Sequence, residues 1–118
     1  MRRTAVVVVM GAIMTLVGMQ SAFAAVASQI SVAYNADTEL FHGRVSSADA
    51  ECQAGRTVKV FKETADGRAL EGRVMSKPDG HWKIEVMHAH GHYFAVTPKE
   101  KIMHTICDRA KSRVVDVM

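Results

Sequence analysis

Turn signals at short intervals are the feature of this sequence that most restricts its fold. Asn-Ala-Asp at 35–37, Asp-Gly at 66–67 and Lys-Pro-Asp-Gly at 77–80 each combine residues that favour tight turns. Between these signals apolar residues alternate with polar ones, as on strands that have one buried face. The pattern predicts an all-β domain built as a sandwich or barrel.

Seven strands are predicted from this alternation, and they would share one core. They span residues 30–34, 39–46, 56–62, 68–76, 81–87, 92–97 and 112–117. The expected core positions are Phe41 and Val45, Val58 and Val60, Trp82, Ile84 and Val86, and Tyr93 and Ala95. Leu70 and Val74 are expected to share one face of the fourth strand, and Gly43 is interpreted as a bulge. Because Ile102, Met103, Ile106 and Ala110 fit helical spacing, residues 99–111 are predicted to be a loop with a helical turn.

The start of the chain has the pattern of a secretory signal peptide. Arg2 and Arg3 form a basic start, residues 5–17 are almost entirely apolar, and Ala-Phe-Ala at 22–24 is a small-x-small cleavage site. We therefore expect residues 1–24 to be a signal peptide with a helical apolar segment.

Cleavage after Ala24 would leave residues 25–118 as one β-sandwich domain, secreted or periplasmic and without stable membrane insertion. The alternative is an uncleaved anchor, because residues 5–26 are long enough to span a bilayer.

The charge balance argues against a nucleic-acid partner. Two of the 15 Lys and Arg residues, Arg2 and Arg3, lie in the predicted signal peptide, whereas none of the 12 acidic residues does. The predicted domain is therefore close to neutral, and its basic residues are interleaved with acidic ones. A nucleic-acid-binding surface needs a basic patch or stripe, which this pattern does not indicate.

Two cysteines, Cys52 and Cys107, lie in the predicted exported domain. An even number of cysteines in an oxidising compartment predicts one disulfide. Free thiols or a pair of metal ligands are the alternatives, although the spacing is not Cys-x-x-Cys. If successive strands run up and down, both cysteines lie in loops at the same end of the domain, so their sulfurs can meet.

A series of structural motifs runs from Phe41 to Val117. In order, they are Phe-x-Gly-x-Val-x-Ser from Phe41 to Ser47, Cys52, Gly-Arg-x-Val-x-Val from Gly55 to Val60, Asp-Gly-x-Trp from Asp79 to Trp82, Tyr-x-Ala with the neighbouring Val from Tyr93 to Val96, and Cys107 followed by Ser112, Val115 and Val117. The series resembles the small secreted bacterial β-sandwich domains of the prealbumin-like type. These domains are related in architecture to transthyretin and to carboxypeptidase regulatory domains. The resemblance implies a seven-stranded Ig-like or transthyretin-like sandwich that packs, binds or scaffolds.

An enzymatic function is not expected. One branch of the transthyretin-like fold hydrolyses 5-hydroxyisourate, but its C-terminal Tyr-Arg-Gly-Ser ending is absent from this chain. No nucleophile-elbow motif or glycine-rich phosphate loop is present either. We expect a non-catalytic exported module without a cofactor, whose partner is a protein or another envelope component. Its contact surfaces would be edge strands or the loops near Cys52 and Cys107.

The alternative function is transition-metal binding by a histidine-rich stretch. His88, His90 and His92 alternate, and on a straight strand they would point the same way toward a Zn, Cu or Ni ion. Glu63 or Asp66, in a turn expected at the same end of the domain, could complete the ligand shell. However, the predicted strand ends place His88 and His90 in a hairpin turn, where a shared direction does not follow.

Overall fold

The computed structural model describes residues 25–118, so the predicted signal peptide and its helix lie outside the described part. The described chain is an all-β, sandwich-like fold with antiparallel sheets. Its strands are β1 Ser28–Ile30, β2 Ala33–Asn35, β3 Leu40–Ser47, β4 Thr57–Thr64, β5 Gly67–Met75, β6 His81–Glu85, β7 Gly91–Thr97, β8 Glu100–Ile102, β9 Thr105–Cys107, β10 Ala110–Lys111 and β11 Val115–Val117. A 3-10 turn, Ala50–Cys52, precedes β4.

The first sheet is built around β3. Strand β6 pairs with one edge of β3, and β1 and β2 pair with the other edge. The predicted first strand is therefore two short strands, but both keep one register, with Ser28 opposite Ser47 and Ala33 opposite His42. The interruption lies at Ser31, whose hydroxyl accepts the Arg44 N–H at 3.0 Å in place of a backbone carbonyl.

Gly43 is not a bulge, contrary to the prediction. It pairs directly with Trp82, and the β3–β6 register continues without a shift on both sides. A Cβ atom at this position would lie 1.9 Å from the carbonyl oxygen of Ser31. The glycine is therefore required by the close approach of the neighbouring edge strand.

The second sheet places β4 and β7 at its centre. Strand β5 forms one edge next to β4, and β10 and β11 both pair with the far side of β7. The register between β4 and β5 shifts between Val60 and Phe61. This shift overturns the prediction that Leu70 and Val74 share a face: Val74 pairs with inward-facing Val58, whereas Leu70 pairs with Phe61 and is 54% exposed.

The core lies between the two sheets, and its predicted members are confirmed. Phe41 and Val45 from β3 and Val58 and Val60 from β4 are fully buried. The other predicted core residues are buried as well: Trp82, Ile84, Val86, Tyr93 and Ala95. The rings of Phe41 and Tyr93 meet across the sheets with centroids 4.8 Å apart. Burial of such side chains is the main favourable term in folding.

Residues 99–111 form β-structure in place of the predicted helical turn. Strands β8 and β9 make a separate hairpin, with Met103 at a positive φ of 56° in the turn. The backbone of Val26 pairs with the far side of β9, donating to Ile106 O and accepting from the Asp108 N–H, each at 2.8 Å. These ladder bonds hold the segment extended, so the helical spacing of its apolar residues has no consequence.

Candidate functional site

The histidine turn (His88, His90 and His92 with the residues between them) runs from the β6–β7 connection into the start of β7 at one end of the molecule. All three histidines are exposed. His88 has a left-handed backbone, with φ of 58°, and its N–H donates to Glu39 Oε2 at 2.7 Å. His92 points out from β7, and its Nδ1 lies 3.0 Å from Asp116 Oδ1.

The turn is held by backbone contacts, and its imidazoles do not converge. The His90 N–H donates to the Tyr93 hydroxyl at 2.9 Å, and that hydroxyl donates to the His90 carbonyl at 3.3 Å. Within residues 25–118, no group of three or more His, Cys, Asp or Glu side chains is arranged to hold a metal ion. The hypothesis of a metal site formed by His88, His90 and His92 therefore stays a prediction, without structural support.

Two carboxylates contact this turn. Glu39, 49 positions before His88, accepts the His88 backbone N–H, and Asp116 lies beside the His92 imidazole. Desolvation raises the pKa of the Tyr34 hydroxyl above its ordinary value, and the charge of nearby Glu39 raises it further. The Glu39–His88 and Asp116–His92 contacts were not predictable from local sequence, because each depends on which strands become neighbours.

The disulfide end (the opposite end of the molecule, with Cys52, Arg56, Glu100 and Cys107) is buried and tightly bonded. Cys52 and Cys107 form a disulfide with a Cα–Cα distance of 5.4 Å, and both residues are fully buried. The predicted pairing is thus confirmed. A disulfide is consistent with an extracellular location.

Arg56 is the largest fully buried side chain in the described chain. Its guanidinium has five N–H groups, and each can donate to a protein acceptor. The acceptors are Glu100 Oε1 for Nε (2.9 Å), Ser28 Oγ and Cys52 O for Nη1 (2.9 Å each), and Pro98 O and Asp108 O for Nη2 (3.1 and 2.8 Å). A buried charge with every donor bonded holds the segments around it in one arrangement.

Glu100, whose side chain is partly buried, completes the ion pair with Arg56. Besides Arg56 Nε, its carboxylate accepts the Thr57 N–H at 3.0 Å and the Thr57 hydroxyl at 3.2 Å. Strand β8 is thereby tied to the start of β4. Because the charge of Glu100 is neutralised by Arg56, it does not offset the cations on the nearby surface.

The outer face of the second sheet carries aromatic rings covered by cations. Phe61 on β4 and Phe94 on β7 stack with centroids 5.6 Å apart. The guanidinium of Arg68 lies 4.2 Å from the Phe61 centroid, and Lys111 Nζ lies 4.4 Å from that of Phe94. These are cation–π distances, so the rings position the cations. We call this surface the cation–aromatic face.

A cavity of about 270 Å³ opens on this face near the disulfide end. It is lined by Lys59, Phe61, Arg68, Val96, Pro98, Lys99 and Arg109. The lining thus combines four cationic side chains with three apolar ones and includes no acidic side chain. A second groove of about 330 Å³, lined by Val26, Ala27, Gln29, Ser46, Ser47 and Ala48, has no charged lining residue.

The cations of the cation–aromatic face have different cross-strand neighbours: Arg68 on β5 stands opposite Glu63 on β4. Lys59 on β4 stands directly opposite Arg73 on β5, a like-charge pair that destabilises a sheet. Among residues 25–118, the ion pairs within 4.0 Å are Arg56–Glu100, His81–Asp79 and His92–Asp116, so none involves a cation of the cavity. A violation of a local pairing rule on an exposed face is typical of a binding site.

Part of the cation–aromatic face could be predicted from the sequence. Lys59 and Phe61 alternate with the inward-facing Val58 and Val60, which predicts that Lys59 and Phe61 point outward. Lys99 and Arg109 lie outside the paired region of the two central strands, and no periodicity joins them to it. Their arrival at the same cavity depends on the tertiary fold.

Within residues 25–118, no helix is long and apolar enough to cross a membrane. Comparisons of this chain with protein-family models, with curated proteins and with solved structures found no match, so the prealbumin-like resemblance stays a prediction from the motifs.

Proposed function

We propose that residues 25–118 form an exported, non-catalytic binding module that holds an anionic partner on its cation–aromatic face. The domain would be a prealbumin-like, transthyretin-like sandwich of seven strands. In support, β1 and β2 follow one register along β3, and β10 and β11 both pair with β7, so each pair acts as one interrupted edge strand. With β8 and β9 as a separate hairpin, the remaining strands number seven.

One observation carries the proposal: four cationic side chains surround a cavity with no acid in its lining. Lys59, Lys99 and Arg109 stand around the opening, and Arg68 lies over the Phe61 ring. Their mutual repulsion is unfavourable in the free protein and would be relieved by a bound anion. An anionic protein or envelope component is therefore the expected partner.

The burial of both cysteines supports the non-catalytic part of the proposal. Cys52 and Cys107 are joined in a fully buried disulfide, so neither is available as a thiolate nucleophile. Arg56 and Glu100, the charged pair, bond to each other and to the backbone. Both groups thus serve the fold, and the surface cations remain for binding.

Binding to a simple polyanion tests this function. The protein expressed from its full sequence would be titrated against dextran sulfate, with neutral dextran as the uncharged comparison. We expect binding to dextran sulfate alone, weakening as salt is raised, since the contacts are exposed charges. In the K59Q/R73Q variant the affinity should fall roughly fivefold or more, because two cations of the face are removed.

The matched control removes two cations elsewhere. Lys77, in the turn before β6, and Lys83, on β6 in the first sheet, are both exposed, so K77Q/K83Q has the same net charge as K59Q/R73Q. We expect this control to bind dextran sulfate like the unmodified protein. Equal losses in the two variants would mean that net charge alone governs binding, and the cation–aromatic face would lose its role.

A further inference from the structure

We infer that the cavity on the cation–aromatic face binds a small amphipathic anion: an organic carboxylate or phosphate monoester that carries an apolar ring or short hydrocarbon chain. This inference rests on the proposed function and adds the chemistry of the ligand. It follows from the hydrogen-bonding character of the lining, its apolar floor, its size, and the way Arg56 holds its walls.

The polar side chains of the lining are donors without exception. Lys59, Arg68, Lys99 and Arg109 offer N–H groups, and neither Lys nor Arg can accept a hydrogen bond. A sugar ring or a neutral amide presents donors as well as acceptors, and its donors would have no side-chain partner here. Ionised carboxylate groups and phosphate dianions present acceptors only, and they match this lining in both charge and hydrogen bonding.

The floor of the cavity is apolar. Phe61, Val96 and Pro98 supply ring, branched and pyrrolidine surfaces, and Val96 is 7% exposed although it points away from the core. A hydrated inorganic anion would leave these surfaces in contact with water. A ligand with an apolar ring or chain would cover them and gain the free energy of apolar burial.

The size of the cavity indicates a compact ligand. Its volume of about 270 Å³ lies just below the range of roughly 300–1,000 Å³ that drug-sized ligands occupy. The hollow accepts one ring or a short chain, with the anionic group at its rim. A long polymer would lie across the sheet and leave the hollow unfilled.

Arg56 holds two walls of the cavity from inside the domain. Its Nη2 donates to the carbonyls of Pro98 and Asp108, at 3.1 and 2.8 Å. Pro98 and Lys99 line the cavity on one side, and Arg109 follows Asp108 directly on the other. One buried side chain therefore sets the separation of Lys99 and Arg109, and a site held in advance loses less entropy on binding. Arg56 is a positioning residue for this site.

Phenyl phosphate is the probe for this inference, with inorganic phosphate and phenol as its two halves. The protein expressed from its full sequence would be titrated with each compound by calorimetry and by NMR amide shifts. We expect phenyl phosphate to bind roughly tenfold more tightly than either half, a difference of about 1.4 kcal/mol. The shifts should centre on Phe61, Val96, Lys99 and Arg109.

Two exposed cations of the rim allow a test that does not risk the fold. Lys99 and Arg109 are both exposed, so the K99Q and R109Q variants should fold normally, as circular dichroism would verify. Each should weaken phenyl phosphate binding roughly fivefold. K77Q, which removes an exposed cation from the turn before β6, should not change it.

The outcomes separate this inference from the proposed function. If phenyl phosphate binds no better than inorganic phosphate, or no better than phenol, the amphipathic site is wrong; dextran sulfate binding would still support the anionic module. Shifts centred away from the four named residues, or equal losses in K77Q and R109Q, would also overturn it. If neither dextran sulfate nor phenyl phosphate binds, both proposals fail.

Discussion

The two ends of the sandwich hold their polar groups in opposite ways. At the disulfide end, Arg56 is fully buried and each of its donors has an acceptor. At the histidine turn, His88, His90 and His92 are exposed, and their contacts go to separate neighbours. The conspicuous histidine motif is thus at the loosely bonded end, while one arginine of the Gly-Arg-x-Val-x-Val motif, Arg56, organises the other end.

This difference indicates where substitutions should matter. A buried charge that loses its partner carries a large desolvation penalty, whereas an exposed polar group returns to water at little cost. Strand β7 joins the two ends, from Gly91 beside the histidine turn to Thr97 beside the disulfide end. The contrast therefore arises within one short domain, and the following predictions test it from the largest expected effect to the smallest.

The R56A variant should show the largest loss. Its removal leaves the partly buried Glu100 carboxylate without its cation and frees the carbonyls of Pro98 and Asp108. We expect the free energy of unfolding to fall by about 3–5 kcal/mol. Urea denaturation followed by Trp82 fluorescence would measure it. The R56M/E100Q double variant should lose less free energy of unfolding than the sum of the losses in R56M and E100Q, because the two side chains are coupled.

The exposed Arg113 provides the control for that prediction. R113A should change the free energy of unfolding by less than about 0.5 kcal/mol. If R56A and R113A differ by no more than this, the buried network does not stabilise the disulfide end.

Removal of the disulfide should have the next largest effect. The bridge closes a loop with a sequence separation of 55 residues. In the chain-entropy model, this constraint stabilises the folded state by about 4 kcal/mol. Urea denaturation of the C52A/C107A variant, beside the unmodified protein with and without dithiothreitol, would measure the loss. A denaturation midpoint that neither change alters would show that the bridge does not constrain the unfolded chain.

At the histidine turn, backbone conformation should matter more than the imidazole of His88. This residue has a φ of 58°, in the left-handed region that a β-branched residue avoids. H88V should lower the free energy of unfolding by about 1–2 kcal/mol, whereas H88G should be neutral or slightly stabilising. Thermal unfolding of both variants would compare them, and equal melting temperatures would contradict a conformational role.

Acid should weaken the turn before β6 through Asp79. Its carboxylate accepts the His81 N–H at 3.0 Å, and its other oxygen lies 2.9 Å from His81 Nδ1. These contacts lower the pKa of Asp79 below its ordinary value of 3.8, and the backbone hydrogen bond from His81 makes the largest contribution. Because the folded-state pKa is the lower one, the stabilisation is present above pH 3.8 and is lost as pH falls through the folded value.

Melting temperatures between pH 5 and pH 2 would test this for the unmodified protein and for D79N. The effect should be small, since the turn is exposed. We expect the two curves to differ above pH 3.8 and to converge below the folded-state pKa of Asp79. A constant difference across the whole range would assign the effect of D79N to another cause.

The smallest effect is expected from removing all three imidazoles of the histidine turn. Zn²⁺ and Cu²⁺ should bind the unmodified protein and H88A/H90A/H92A equally weakly in calorimetric titrations, because the three side chains do not converge. Clearly tighter binding by the unmodified protein, weakening as pH drops through about 6.5, would instead establish the metal site.

Much of the fold followed from the sequence because period-2 alternation is a local property. It assigned Val58, Val60, Trp82, Ile84 and Tyr93 to the core, and the structure buries all of them. It failed where a neighbouring strand intervenes. The register shift beside Phe61 turned Leu70 outward, and backbone pairing with Val26 kept residues 99–111 extended.

The sequence alone determined which residues face inward along most strands, because strand alternation is a local property, and its two cysteines in a predicted exported domain indicated one disulfide. Only the tertiary structure decided that Lys59, Lys99 and Arg109 surround one apolar hollow. Their convergence depends on strand order, on the β4–β5 register and on the carbonyls that Arg56 holds. These are relations between distant segments, and no local pattern records them.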